Sequence, residues 1–112
     1  MENLKIVVLI SGRGSNLKAI AQECKKKRTP AKIIAIISNN QFASGLKIKG
    51  KFEKIFIKEK KKDFEKKLQK NLNRLKPDLI CLAGFMKILS PFIIRKWRNK
   101  IINVHPSLLP SF

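Results

Sequence analysis

Leu4-Lys5-Ile6-Val7-Val8-Leu9-Ile10 runs directly into Ser11-Gly12-Arg13-Gly14-Ser15-Asn16, an apolar block followed at once by a glycine-rich polar turn. Leu4 to Ile10 is a continuous apolar block around one lysine. It is too short for a helix of ordinary length and is followed by a glycine turn, so it reads as a strand buried in a parallel sheet. Leu17, Ile20, Ala21 and Cys24 then recur at helical spacing. They mark an amphipathic helix running toward Arg28, with Lys25 to Lys27 suiting its carboxyl end. Pro30 closes this strand-turn-helix unit.

The same alternation continues downstream. Ile33 to Ile37 reads as a second strand with Ser38-Asn39-Asn40 as its polar stop, residues 43 to 50 as a short helix ending near Gly50, and Glu53 to Ile57 as a third strand. From Lys60 to Leu75, the residues Phe64, Leu68, Leu72 and Leu75 share one stripe and leave Lys62, Lys66, Lys67 and Lys70 on the wet side. Pro77-Asp78 opens a fourth strand, Leu79 to Ala83. Ser90-Pro91 has the cap and first-turn signature of a helix through Trp97, and Lys100 to Val104 is a fifth strand. Strands alternating with helices place the chain in the α/β class with a mainly parallel sheet, as one domain over residues 1–112.

Composition narrows the functional classes. An apolar share of 44% with 29% charged residues excludes wholesale disorder. No apolar run approaches the roughly 18 residues of a membrane span, and the chain enters its first strand straight after Met1-Glu2, so the expectation is a cytoplasmic protein without a membrane anchor. Lys and Arg number 26 against 7 Asp and Glu, a formal charge of +19. That excess attracts polyanions through counterion release. It is almost all lysine, spread along the chain and without interleaved aromatic residues, which favours a solvated surface over specific nucleic-acid recognition. Cys24 and Cys81 form no metal-ligand spacing with the single histidine, so no metal site is expected and both read as buried free thiols.

In an open parallel sheet, ligands collect beyond the carboxyl ends of the strands. After the first strand, the glycines of Ser11-Gly12-Arg13-Gly14-Ser15-Asn16 allow a tight turn, and the amides of Gly14, Ser15 and Asn16 open a helix where they can point at a phosphate. The loop lacks the third glycine of a dinucleotide fingerprint, and the second strand does not end in an acid, so a small phosphorylated ligand suits it better than a dinucleotide. A capped helix without any ligand explains the same residues equally well. After the fourth strand, Gly84-Phe85-Met86-Lys87-Ile88-Leu89-Ser90 sets apolar residues at the functional edge, either as the lining of a pocket for a flat ring or as a loop packed over the core. At the fifth strand, Asn103 and His105 are two apart and face the same way on extended backbone. An amide donor beside an imidazole suits stabilisation of an oxyanion and transfer of a proton, the needs of acyl or formyl transfer to an amine.

Taken together, Ile10-Ser11-Gly12-x-Gly14-Ser15-Asn16-Leu17, Ala83-Gly84-Phe85-Met86-x-Ile88-Leu89-Ser90 and Asn103-x-His105-Pro106-Ser107-Leu108-Leu109-Pro110 closely resemble the phosphoribosylglycinamide formyltransferases, folate-dependent enzymes of purine synthesis. The resemblance implies a Rossmann-like three-layer fold, corresponding to the amino-terminal portion of the formyltransferase domain. It implies transfer of a formyl group from 10-formyltetrahydrofolate to the amine of glycinamide ribonucleotide. It assigns Gly14, Ser15 and Asn16 to the ribonucleotide phosphate, and Lys61, Met86, Lys87, Ile88, Leu89 and Asn103 to the folate. His105, assisted by Asn103, becomes the general acid. Lys61 and Lys87 stand where the family often has arginines, which keeps the charge and loses the planar fork.

Family members continue past the Leu-Leu-Pro turn and supply an aspartate that orients the histidine. Asp78 precedes the fourth strand while His105 follows the fifth, about five residues of roughly 3.3 Å away, so Asp78 lies at the wrong edge to replace it. By analogy with other histidine-acid pairs, a missing carboxylate costs on the order of 10⁴ in rate. The expectation is weak activity in the isolated chain and a separately encoded carboxyl-terminal segment as partner. Two readings stand beside this one. One is a ligand-binding fragment without catalysis; the other is a relative of methionyl-tRNA formyltransferase, which shares the Asn-x-His-Pro-Ser-Leu-Leu-Pro segment.

Overall fold

Leu4–Ile10 forms strand β1, and Val7 to Ile10 are wholly buried. Val7 and Leu9 face one apolar cluster while Ile6, Val8 and Ile10 face another, so both faces of this strand need a cover. The structure is a computed structural model that describes residues 3–12, 15–26, 30–58 and 61–104, without the side chains at 15, 16, 61 and 62. Helix α1 (Ser15–Cys24) covers one face with Leu17 and Ile20, joined by Ala43 beside a 3-10 turn at Ser44–Lys47. Helices α2 (Lys61–Leu75) and α3 (Pro91–Lys96) cover the other, through Phe64, Leu68 and Leu72 and through Ile93, with Leu89 and Trp97 flanking α3. The result is the expected three-layer α/β arrangement.

Strands β2 (Ala31–Ser38), β3 (Glu53–Phe56), β4 (Leu79–Leu82) and β5 (Ile101–Asn103) complete a five-stranded sheet of order β3-β2-β1-β4-β5 with every pairing parallel. The order reverses at β1, whose neighbours are β2 and β4, so the edge beyond Ile10 is the switch point of the sheet. A bulge interrupts the β1–β2 register: Ile6 pairs with Ile33 but Val7 with Ala35, and Ile34 is left over. That extra residue inverts the alternation along β2. Ala31 and Ile33 face α1 before it, while Ala35 and Ile37 face α2 after it.

Element ends carry their own causes. Helix α1 stops at Cys24, short of the expected run toward Arg28, and Lys25 and Lys26 donate their amides to Gln22 and Glu23 in a turn. Residues 27–29 lie outside the described set. The short helix expected over residues 43 to 50 contracts to the four-residue 3-10 turn. Helix α2 ends where Lys76 turns to φ 50°, just before Pro77. Ser90 caps α3, its hydroxyl accepting the Ile93 N–H at 3.4 Å, and Pro91 supplies the fixed φ of the first turn. Arg74 near the end of α2 forks onto Glu53 of β3 at 2.8 and 2.9 Å, and these hydrogen bonds hold the Glu53 carboxyl below its usual range. Both partners are half exposed, so the pair orients the helix end more than it stabilises the fold.

The two cysteines remain free thiols, with Cys81 buried and Cys24 half-buried against the same cluster. Burial, with a smaller contribution from neighbouring Cys24, pushes the Cys81 thiol up to about 11 and keeps it protonated at neutral pH. Among the described residues, no helix is long and apolar enough to cross a membrane.

Phe64 is 0% exposed and Phe42 is 79% exposed, which gives a matched pair of truncations. Urea unfolding is expected to show a loss of about 3–5 kcal/mol for Phe64→Ala and a change within about 0.5 kcal/mol for Phe42→Ala.

Candidate active site

Beyond the carboxyl ends of β1, β2 and β4, three segments meet on one hydroxyl. Ser11 Oγ donates to Asn39 Oδ1 at 2.7 Å and accepts the Met86 N–H at 2.8 Å, while the Ser11 carbonyl accepts from Asn40 Nδ2 at 3.1 Å. Ser38 Oγ in turn donates to the Asn40 carbonyl at 2.9 Å and accepts the Asn40 N–H at 3.0 Å. Ser11 and Ser38 are the two buried polar side chains among the described residues, and both sit at this edge with partners. A buried hydroxyl that both donates and accepts costs little, whereas one without partners is expensive. Ser38-Asn39-Asn40, read from sequence as a polar stop, is therefore a clasp that ties the β2 end to the β1 turn and, through Ser11, to the loop after β4. Three consecutive polar residues ending a buried strand beside the switch point were the signal for it.

The loop 84–90 has no regular structure, yet it is fixed along its length. It begins at Gly84, whose φ of +71° suits glycine; a Cβ there would meet nothing within 4 Å, so the constraint is the backbone alone. The Phe85 ring stacks against Phe64 with centroids 6.1 Å apart, and Lys87 Nζ lies 5.3 Å from the Phe64 centroid. Leu89 is buried, while Met86 and Ile88 stand 83% and 92% exposed. The Ser90 N–H donates to Glu65 Oε2 of α2 at 2.7 Å.

Lys87, Ile88 and Leu89 border a hollow of about 390 Å³ whose other walls are Leu82, Ile94 and Ile101, with Arg98 and Asn99 at its polar side. Across the same three residues a broader groove of about 790 Å³ opens toward Glu65, Lys66 and Gln69 of α2. Asn103 is the last residue of β5 and pairs with Leu82. Strand alternation puts it on the same face as Ile101 and one step nearer the carboxyl edge.

The structure thus brings Lys87, Ile88, Leu89 and Asn103 to one end of the sheet, at the edge that Ser11 organises. Met86 contributes there through its backbone, and its side chain does not line the hollow. Gly14 and His105 lie outside the described residues, as do the side chains of Ser15, Asn16 and Lys61. The backbone of Ser15 and Asn16 forms the first turn of α1, at the carboxyl edge of β1. Asp78 is at the opposite edge, where its Oδ2 accepts the Lys5 N–H and its own N–H donates to the Lys5 carbonyl, both at 2.8 Å. Among the described residues no cluster of three or more His, Cys, Asp or Glu could hold a metal ion.

Replacing Ser11 by alanine removes the donor to Asn39 and the acceptor for Met86 together. Urea unfolding of Ser11→Ala is expected to show a loss of about 1–3 kcal/mol. Hydrogen exchange at the Met86 amide is expected to quicken more than exchange in the middle of β1.

Comparison with known proteins agrees with this geometry. The sequence is 42% identical over 118 aligned positions to the phosphoribosylglycinamide formyltransferase of Haemophilus influenzae, covering 96% of this chain and 54% of that enzyme. It is 40% identical to the trifunctional purine biosynthetic protein adenosine-3 of Gallus gallus, covering 97% of this chain and 12% of that protein. The chain thus spans about half the length of the single-function relative. Among solved structures, the phosphoribosylglycinamide formyltransferase of Brucella melitensis superimposes with a TM-score of 0.87 at 37% identity, over 99% of this chain and 61% of that one. The sequence profile of the formyl transferases matches residues 4–112, and on that match, with the parallel sheet and its organised carboxyl edge, the chain belongs to the formyl transferase family.

Proposed function

We propose that this chain is the amino-terminal part of a phosphoribosylglycinamide formyltransferase, which moves a formyl group from 10-formyltetrahydrofolate to the amine of glycinamide ribonucleotide. The observation that carries the reading is the Ser11 hydroxyl, which holds the turn after β1 and the loop after β4 at one edge of the sheet. The likeness to relatives of that name supports the choice of substrates.

In this reading the amides of Gly14, Ser15 and Asn16, at the positive end of α1, bind the ribonucleotide phosphate. The folate ring enters the hollow between Leu82, Leu89, Ile94 and Ile101, a size and apolar character that suit a flat heterocycle, and Asn99 and Arg98 offer polar groups to its edge. Lys87 to Leu89 form the wall, with Met86 holding its start through the backbone N–H, while Lys87 and Lys61 supply positive charge toward the anionic tail of the folate. The substrate amine attacks the formyl carbon, forming a new C–N bond and a tetrahedral oxyanion. The Asn103 carboxamide donates to that oxyanion. His105 delivers a proton to the folate nitrogen as its bond to the formyl carbon breaks, and the attacking amine releases one, so charge and atoms balance without a redox step. In this reading a further segment of the family, part of the greater length of the single-function relative, completes the pocket. The substrates are small metabolites of the cytoplasm, and the protein works there.

Incubation with both substrates, with and without a family carboxyl-terminal segment, tests the proposal by following loss of the formyl group from folate. Turnover is expected to rise when the segment is present. His105→Ala is expected to lower kcat about 10²- to 10⁴-fold and Asn103→Ala about 10²- to 10³-fold. Absence of both binding and turnover under all these conditions rejects the reading.

A further inference from the structure

Glu65 sits in the second turn of α2, outside the hollow that receives the folate ring in the reading above, and none of the proposed chemistry uses it. Its Oε2 nevertheless accepts the N–H of Ser90 at 2.7 Å, a charge-assisted contact across 25 residues of sequence. Ser90 is also the residue whose hydroxyl caps α3. The loop 84–90 therefore has one hydrogen-bonded anchor near its start, Met86 on Ser11, and one at its end, Ser90 on Glu65. Lys87, Ile88 and Leu89 lie between the two anchors and form the shared wall of both hollows. With the Glu65 anchor gone, the wall is held at its far end by Leu89 packing and by the small α3 helix, which is six residues long.

We propose that Glu65 is a positioning residue for the folate: by accepting the Ser90 N–H it fixes the far end of the 87–89 wall and the start of α3 against α2, and so tunes the affinity for the ring, without touching the ligand. This inference rests on the folate reading of the hollow. The relevant property is an acceptor oxygen of the right reach, so glutamine conserves the function and alanine or leucine abolishes it. Alanine and leucine both favour helices, which leaves α2 intact.

The test measures the dissociation constant for 10-formyltetrahydrofolate, KM for each substrate and kcat with wild type, Glu65→Gln, Glu65→Ala and Glu65→Leu. Exchange of the Ser90 amide and the emission of Trp97, the single tryptophan of the chain, are followed in parallel. Trp97 is anchored to α2 through Gln69 at 3.1 Å and reports whether α3 stays docked. Glu65→Ala and Glu65→Leu are expected to bind folate about tenfold more weakly, as a wall displaced by a fraction of an ångström would cause, with faster Ser90 exchange and an unchanged KM for the ribonucleotide. Glu65→Gln is expected to stay within about twofold of wild type. Wild-type folate affinity in Glu65→Ala and Glu65→Leu overturns the proposal, and so does a glutamine variant as weak as alanine. Failure of the wild-type protein itself to bind folate overturns the folate reading instead, which separates the two outcomes.

Discussion

A strand that is apolar on both faces must be covered on both sides, and β1 is such a strand. Parallel neighbours β2 and β4 require crossover helices, so α1 fills one face and α2 with α3 the other. Each crossover returns the chain to the amino edge, so every strand ends at the opposite edge, and the loops that leave the carboxyl ends gather there. The position of the candidate site is thus a consequence of burying Val7 to Ile10, and the chemistry is added at the first residues beyond them.

Ser11 is the first such residue, and its hydroxyl converts proximity into order. Without it, the end of β2 would lose the Asn39 tie to the β1 turn, and the loop after β4 would lose that of Met86. With it, Asn39 and the backbone of Met86 are held relative to the turn that opens α1, beside Asn40 on the Ser11 carbonyl. The gain is greater than that of a fully exposed hydrogen bond, because the Ser11 hydroxyl is itself buried and would otherwise lack compensation. Phe85 and Lys87 on the Phe64 ring extend the same order along the loop, and the wall of the hollow is consequently built from the core outward.

Most of the fold was legible in the sequence, because its signal is strong where burial is complete. The block Leu4 to Ile10 matches β1 residue for residue, and the Phe64, Leu68, Leu72 stripe matches the buried face of α2. The stop of α1 at Cys24 was harder, since the lysines after it suit a helix end anywhere within several residues. The β2 bulge was hidden because Ile33 to Ile37 is apolar at nearly every position, and a run without alternation carries no register. In the site, the motif residues announced which loops matter, and the structure gathers Lys87, Ile88, Leu89 and Asn103 at one edge. The polar run Ser38-Asn39-Asn40 marks where a clasp sits, but the partners of Asn39, Asn40 and Glu65 could not be read, because each lies 25 or more residues away in sequence. Glu65 stands in the sequence as one charge among many on a lysine-rich helix.

In the proposed reading, one edge of the sheet, organised at Ser11, receives both ligands. Amide chemical-shift mapping during separate titrations with glycinamide ribonucleotide and a folate tests it most directly. Ribonucleotide shifts are expected to centre on residues 11–16 and folate shifts on residues 82–90 and 98–104, with Ser11 and Met86 responding to both. Shifts centred on Lys5, Asp78 and the opposite edge of the sheet, or two ligand footprints on different faces of the molecule, would contradict it.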